Sequence, residues 1–118
     1  TLRALTDEKW LAFVLEQVLS NAVKYTRRGS VTLRADEAAH AVIVEDTGIG
    51  IAPEDLPRVF DHGYTGLNGR KDKRATGLGL YLSRRILDQL GHTISIASEP
   101  GRGTRVTIGL DSLRMRAE

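Results

Sequence analysis

The apolar residues Leu11, Val14, Leu15, Val18, Leu19 and Ala22 recur at intervals of three and four, the spacing of a helix with one buried stripe. Thr6 or Asp7 suits its N-cap, and Arg28-Gly29 is the expected stop. Val31, Leu33 and Ala35 then alternate with Thr32 and Arg34, and Ala41 to Asp46 is a short apolar run ending in acid. Two strands are predicted there, with a turn at residues 36–40. Pro53 opens a short helix expected to run through Phe60. Residues 62–76 are polar, charged and glycine-rich without a useful period, which predicts a long functional loop. Gly77 to Leu90 reads as a second long helix with Gly91 as its stop. Two strands follow, Thr93 to Ser98 and Thr104 to Leu110, around the turn Glu99-Pro100-Gly101-Arg102-Gly103. This order predicts an α+β two-layer sandwich with helices against one face of a mixed sheet.

Composition narrows the function classes. At 118 residues, with 41% hydrophobic and 27% charged positions, the chain is sized and balanced for one domain, 1–118. A formal charge of +2 with 5% aromatics does not describe a nucleic-acid protein, and none is expected as a partner. The absence of cysteine removes disulfide scaffolds, thiol catalysis and Cys-based zinc sites. The longest apolar run, Trp10 to Leu15, is far below the roughly 18 residues of a membrane span. Starting at Thr1 with no apolar leader, the chain is expected to be a piece of a longer protein.

Glycine usage points to backbone contact with a ligand. Of twelve glycines only Gly29 precedes Gly48, and seven fall between Gly48 and Gly79 inclusive. On the first helix Gln17, Asn21 and Lys24 lie within an arc of roughly 60° beside the apolar stripe. An amide oxygen there is a hard donor for Mg²⁺, and a lysine one turn on meets phosphate charge; the alternative is a solvated helix flank. Tyr25, at the border of strip and stripe, reads as a half-buried packing residue. Asp46 shares a strand face with Val42 and Val44, so its carboxylate points toward the apolar layer and needs a donor. The exocyclic amine of adenine is one such donor, and a tight turn started by a strand-end Asp is the alternative. Gly48 and Gly50 allow close approach to a flat ligand.

Thr76-Gly77-Leu78-Gly79-Leu80 stands at a predicted helix start, where free amides favour phosphate, or where the glycines only cap and pack the helix. It has neither the Walker A nor the Rossmann context. Arg70, Lys71, Lys73 and Arg74 precede it, either as a solvated run or as cations closing over a triphosphate. Phe60 and Tyr64 bracket Asp61-His62-Gly63 at the loop mouth. Thr104 shares a face with Val106 and Ile108, so its hydroxyl points inward and wants a partner, water or ligand. His40, His62 and His92 are scattered and are assigned to no metal.

Five motifs occur in order: Gln-x-x-x-Asn-Ala-x-Lys-Tyr, Asp-x-Gly-x-Gly, Phe-Asp-x-Gly-Tyr-Thr-Gly, Thr-Gly-Leu-Gly-Leu and Glu-Pro-Gly-x-Gly-Thr. Together they resemble the catalytic, ATP-binding domain of bacterial two-component sensor histidine kinases, in the superfamily shared with gyrase-type ATPases, heat-shock chaperones and mismatch-repair proteins. The resemblance covers nearly the whole chain and implies the Bergerat (GHKL ATPase) fold. It implies that Asn21 ligates Mg²⁺, that Lys24 and Tyr25 face the phosphates and ribose, and that Asp46 binds the adenine amine. It further implies that Gly48 and Gly50 shape the base pocket and that Thr104 supports Asp46 through water. Phe60 and Tyr64 correspond to the aromatic box, Arg70 to Thr76 to an ATP lid, and Gly77 and Gly79 to the phosphate turn, with Leu78 and Leu80 beside them. The stretch Phe60 to Arg70, Phe-Asp-His-Gly-Tyr-Thr-Gly-Leu-Asn-Gly-Arg, together with Trp10 and Phe13 ahead of Gln17, looks most like that of small membrane-embedded kinases that sense envelope stress and peptide antibiotics.

The implied reaction moves the γ-phosphoryl group of ATP to a histidine on a separate dimerisation domain, and from there to a response regulator. The implied parent is a homodimer anchored in the cell membrane, with this domain in the cytoplasm. The chain departs from the family pattern at three points. Ala75 stands where many relatives have a first glycine, and Tyr64 replaces a more usual Phe. Gln17 stands where ATPase relatives carry a water-activating Glu; an amide is no general base, which favours transfer over hydrolysis. No phosphoacceptor histidine segment is visible, so the fragment is not expected to autophosphorylate. A superfamily ATPase, a protein serine kinase and a non-catalytic nucleotide-binding module are the alternatives.

Overall fold

A computed structural model of the chain describes residues 8–24, 26, 28–61 and 79–110. Helix α1 (Glu8–Lys24) leads into strands β1 (Val31–Asp36) and β2 (Ala41–Asp46). A 3-10 turn at Leu56–Arg58, helix α2 (Gly79–Leu90) and strands β3 (Thr93–Glu99) and β4 (Gly103–Gly109) follow. The strands lie in the order β1-β2-β4-β3, and both helices pack on one face of the sheet.

All three strand pairings are antiparallel, where the sequence predicts a mixed sheet. The reason lies in the crossover. The chain leaves β2, passes through α2 and returns in β3 running the same way, but β4 inserts between them. Each neighbour in the described sheet is therefore opposed in direction.

The registers set the layers. On the helix-facing side, Ala35, Val42, Ile108 and Ile94 make one row across the sheet, and Leu33, Val44, Val106 and Ile96 make the next. These rows meet Val14, Val18 and Ala22 of α1 and Leu87 of α2 in one core. Full burial of each Val or Leu side chain contributes about 1.5–3 kcal/mol. Leu33 is 50% exposed, because it sits on the edge strand beyond the main cover of the helices. Ser83 is buried in α2, and its hydroxyl is satisfied by donating to the Gly79 carbonyl at 2.7 Å.

The opposite sheet face is mostly polar around the buried Ala41 and Ile43. Glu45 of β2 accepts from Arg34 of β1 at 2.9 Å and lies 3.4 Å from Arg105 of β4. The Arg34 hydrogen bond, aided by the charges of Arg105 and Arg34, holds the Glu45 carboxyl below the ordinary glutamate range against the opposing effect of desolvation.

Helix ends follow tertiary needs. α2 stops as predicted at Gly91, whose φ is 81°, with Gly91 N–H donating to Asp88 and His92 N–H to the Leu87 carbonyl at 2.8 Å. This is a Schellman cap. α1 ends at Lys24, a turn before the predicted stop, because Ser30 is tied to Thr47. The helix predicted from Pro53 through Phe60 is a turn followed by the 3-10 segment. Pro57 lies at its start, lacks an N–H and disfavours helical backbone at Leu56.

Candidate functional site

The two apolar rows of the helix-facing side are followed, at one end of the sheet, by a polar row. Asp46, Thr104 and Ser98 stand side by side on β2, β4 and β3, beside Val31 of β1. The alternation that builds the core thus delivers two hydroxyls and a carboxylate to its rim. Asp46 Oδ1 accepts from Gly48 N–H at 2.9 Å, so the carboxylate both starts the predicted tight turn and faces the apolar layer.

Ser98 ties this row together. Its Oγ accepts from Ile51 N–H at 2.8 Å, lies 2.9 Å from the Gly103 carbonyl and lies 2.9 Å from Thr104 Oγ1. The inward hydroxyl of Thr104 therefore has the protein partner that its position requires. None of the sequence motifs includes Ser98, although it shares the face of Ile94 and Ile96 on β3 and that alternation marks it as inward.

The loop after Asp46 is stitched on both sides. Ser30 N–H donates to Thr47 Oγ1 at 2.8 Å and Thr47 N–H to the Ser30 carbonyl at 3.0 Å, joining it to the exit of α1. Gly101 N–H donates to the Ile49 carbonyl at 2.8 Å, joining it to the β3–β4 turn. Gly50 has a φ of 76°, and a Cβ there would sit 2.7 Å from the Glu99 carbonyl carbon and 2.9 Å from Pro100 Cα. Only glycine fits so close to another backbone. Ile49 is 42% exposed and offers an apolar surface at the mouth of this loop.

A second group joins the helices. Gln17, Asn21 and Lys24 are half-buried along α1, as expected for a strip at the edge of the core. Gln17 lies against the first residue of α2: a Cβ on Gly79 would be 2.8 Å from Gln17 Oε1. The amide thus touches the backbone of the candidate phosphate turn, and Leu80 packs on the core beside it. Phe60 is held elsewhere, under the Arg84 guanidinium of α2 at 5.2 Å. Trp10 and Phe13 make an edge-to-face pair at 6.3 Å on α1. Tyr25, Tyr64, Arg70, Arg74, Thr76, Gly77 and Leu78, with His62, lie outside the described residues. Among the described residues no three His, Cys, Asp or Glu side chains gather as a metal site, and no helix is long and apolar enough to cross a membrane.

Residues 6–114 match the family of histidine kinase-, DNA gyrase B- and HSP90-like ATPases. The chain belongs to this family. Within the histidine kinase-like ATPases it is 48% identical over 105 residues to the sensor histidine kinase YxdK of Bacillus subtilis, covering 86% of this chain and 32% of that protein. It is 42% identical over 106 residues to the sensor protein BceS of Halalkalibacterium halodurans, covering 88% of this chain and 32% of that protein. The chain spans about a third of the length of these relatives. Among solved structures, full-length ShkA in complex with AMPPNP superposes with a TM-score of 0.71 at 28% identity, covering 93% of this chain and 23% of that one. The catalytic domain of the histidine kinase ThkA, at 24% identity, shares the fold with a TM-score of 0.73 over 92% of this chain and 71% of that one. The fold is thus that of histidine kinase catalytic domains, and the chain is an ATPase-family domain of the sensor-kinase kind.

Proposed function

We propose that this chain binds Mg²⁺-ATP and is the catalytic domain of a sensor histidine kinase. In this reading the γ-phosphoryl group passes to a histidine on a separate dimerisation domain of the parent, a membrane-anchored homodimer, and then to a response regulator. The observation that carries it is the polar row of Asp46, Thr104 and Ser98 at the rim of an apolar helix–sheet layer, closed by a loop that has no room for a side chain at Gly50. An apolar cleft with a few convergent polar groups suits a flat heterocycle with an amino group. Asp46 receives the adenine amine, Gly48 and Gly50 let the backbone approach the ring, and Ile49 covers one of its edges.

Toward α2, Asn21 supplies an amide oxygen to Mg²⁺ and Lys24 meets phosphate charge. Such a site fits magnesium, which is held by one or two protein oxygens together with substrate phosphates and water and needs no carboxylate cage. When bound, Mg²⁺ supplies charge neutralisation on the phosphates. Phosphoryl transfer asks the protein for position and electrostatics more than for covalent help. The Gln17 amide lies where a side chain on Gly79 would go and has no basicity with which to activate water. In this reading Gly77 and Gly79, with Thr76 and the lid cations Arg70 and Arg74, bind the triphosphate, Tyr25 faces its ribose side, and Tyr64 belongs with Phe60 to the aromatic box.

The test is transfer itself. The chain, mixed with a histidine-containing dimerisation domain of its parent and γ-labelled ATP, is expected to label that domain in an acid-labile form. Acid-stable label would point to a serine kinase, and binding of nucleotide without labelling would point to a nucleotide-binding module.

A further inference from the structure

The hydroxyl of Ser98 has one proton and three neighbours. Ile51 N–H can only donate to it, and the Gly103 carbonyl can only accept from it. The Ser98 proton therefore goes to Gly103 O. The remaining contact, 2.9 Å to Thr104 Oγ1, is then satisfied only if Thr104 is the donor. With its proton turned toward Ser98, Thr104 presents only lone pairs to the rest of its surroundings. Its cross-strand neighbour on the other side is Asp46, whose carboxylate accepts from Gly48 N–H and likewise offers acceptor oxygens.

We infer that Ser98 is a specificity-determining positioning residue, which fixes the Thr104 hydroxyl as an acceptor so that the rim accepts a base carrying an exocyclic amine and rejects one carrying an oxo group. The inference rests on the nucleotide reading above and adds to it a residue outside the motifs that enforces the choice of adenine. A rim of acceptors pairs with the 6-amino group of adenine. The 6-oxo group of guanine would leave acceptor facing acceptor, and a polar group left unpaired in a partly buried site is costly. Without Ser98, the Thr104 hydroxyl is free to rotate and to donate, and the rim loses its sign. Ser98 acts through Thr104 and through the Ile51 amide, with no contact to the ligand required of it.

The experiment is calorimetric titration of the chain with AMPPNP and with GMPPNP, on the unaltered protein, Ser98→Ala, Ser98→Thr, Thr104→Val and the Ser98→Ala/Thr104→Val double variant. The unaltered chain is expected to prefer the adenine nucleotide. Ser98→Ala should shrink that preference by about tenfold, the scale of one hydrogen bond. Ser98→Thr, which keeps the hydroxyl, should restore it. Thr104→Val should shrink the preference similarly, and the double variant should lose no more than the larger single change, because both act on one group. An unchanged adenine-to-guanine ratio in Ser98→Ala, or equal loss of both nucleotides, would overturn the inference while leaving nucleotide binding in place. Should Ser98→Ala fail to fold, the ratio in Thr104→Val decides in the same way. Failure of the unaltered chain to bind either nucleotide would instead overturn the reading on which the inference stands.

Discussion

The two hairpins of the sheet are built alike and used differently. In β1–β2, the connecting residues 37–40 are held by local bonds, with Ala39 N–H on Asp36 Oδ1 at 3.1 Å and His40 N–H on the Glu37 carbonyl at 3.2 Å. His40, a non-glycine, adopts a φ of 53° there, and its carbonyl accepts from Leu110. The β3–β4 turn at the other end of the sheet reaches out of its own hairpin. Gly101 binds Ile49, the Glu99–Pro100 backbone presses on Gly50, and a Cβ on Gly103 would come within 2.9 Å of Thr47 Cα. The first hairpin is tied to its own turn and to Leu110. The second is fused to the loop that follows Asp46, so backbone crowds on backbone at the end of the sheet where we propose the nucleotide site.

The largest effect should come from adding one methyl group at that junction. Gly50→Ala places a Cβ against the Glu99 and Pro100 backbone at positive φ and should destabilise the chain by about 2 kcal/mol or more by urea unfolding, and weaken nucleotide binding more than tenfold. Gly101 has nearly the same φ, 79°, but nothing lies within 4 Å of the position an added methyl group would take, so Gly101→Ala should cost only about 1 kcal/mol and leave affinity nearly intact. Equal effects of the two would break the comparison, since conformation alone would then explain both. At the far hairpin, His40→Asn, which tolerates positive φ, should shift stability by less than about 1 kcal/mol and not change nucleotide affinity.

The smallest effect concerns the open face. Glu45 has a lowered pKa from Arg34 and Arg105, so its contribution is present above the unfolded glutamate pKa and is lost as pH falls through the lower folded-state value. The melting temperature of Glu45→Gln should therefore lie slightly below that of the unaltered chain at neutral pH and converge with it in acid. High salt should narrow the gap as well.

Local pattern makes much of this legible. The spacing of Val14, Val18 and Ala22 places α1 on the core, and alternation along β2 and β4 turns Asp46 and Thr104 to the same side. What stays hidden depends on partners distant in sequence. The insertion of β4 between β2 and β3 makes the sheet antiparallel, and the tie of Ser30 to Thr47 shortens α1. Ser98 escapes notice because a serine in an alternating strand carries no motif; only its bonds to Ile51, Gly103 and Thr104 give it meaning.

The central claim is that the rim around Asp46 is an adenine nucleotide site. Calorimetric titration of the chain with AMPPNP, with and without Mg²⁺, beside Asp46→Asn, tests it most directly. Saturable, Mg²⁺-dependent binding that is lost in Asp46→Asn while circular dichroism stays native is the predicted result. Unchanged affinity in a natively folded Asp46→Asn would contradict it.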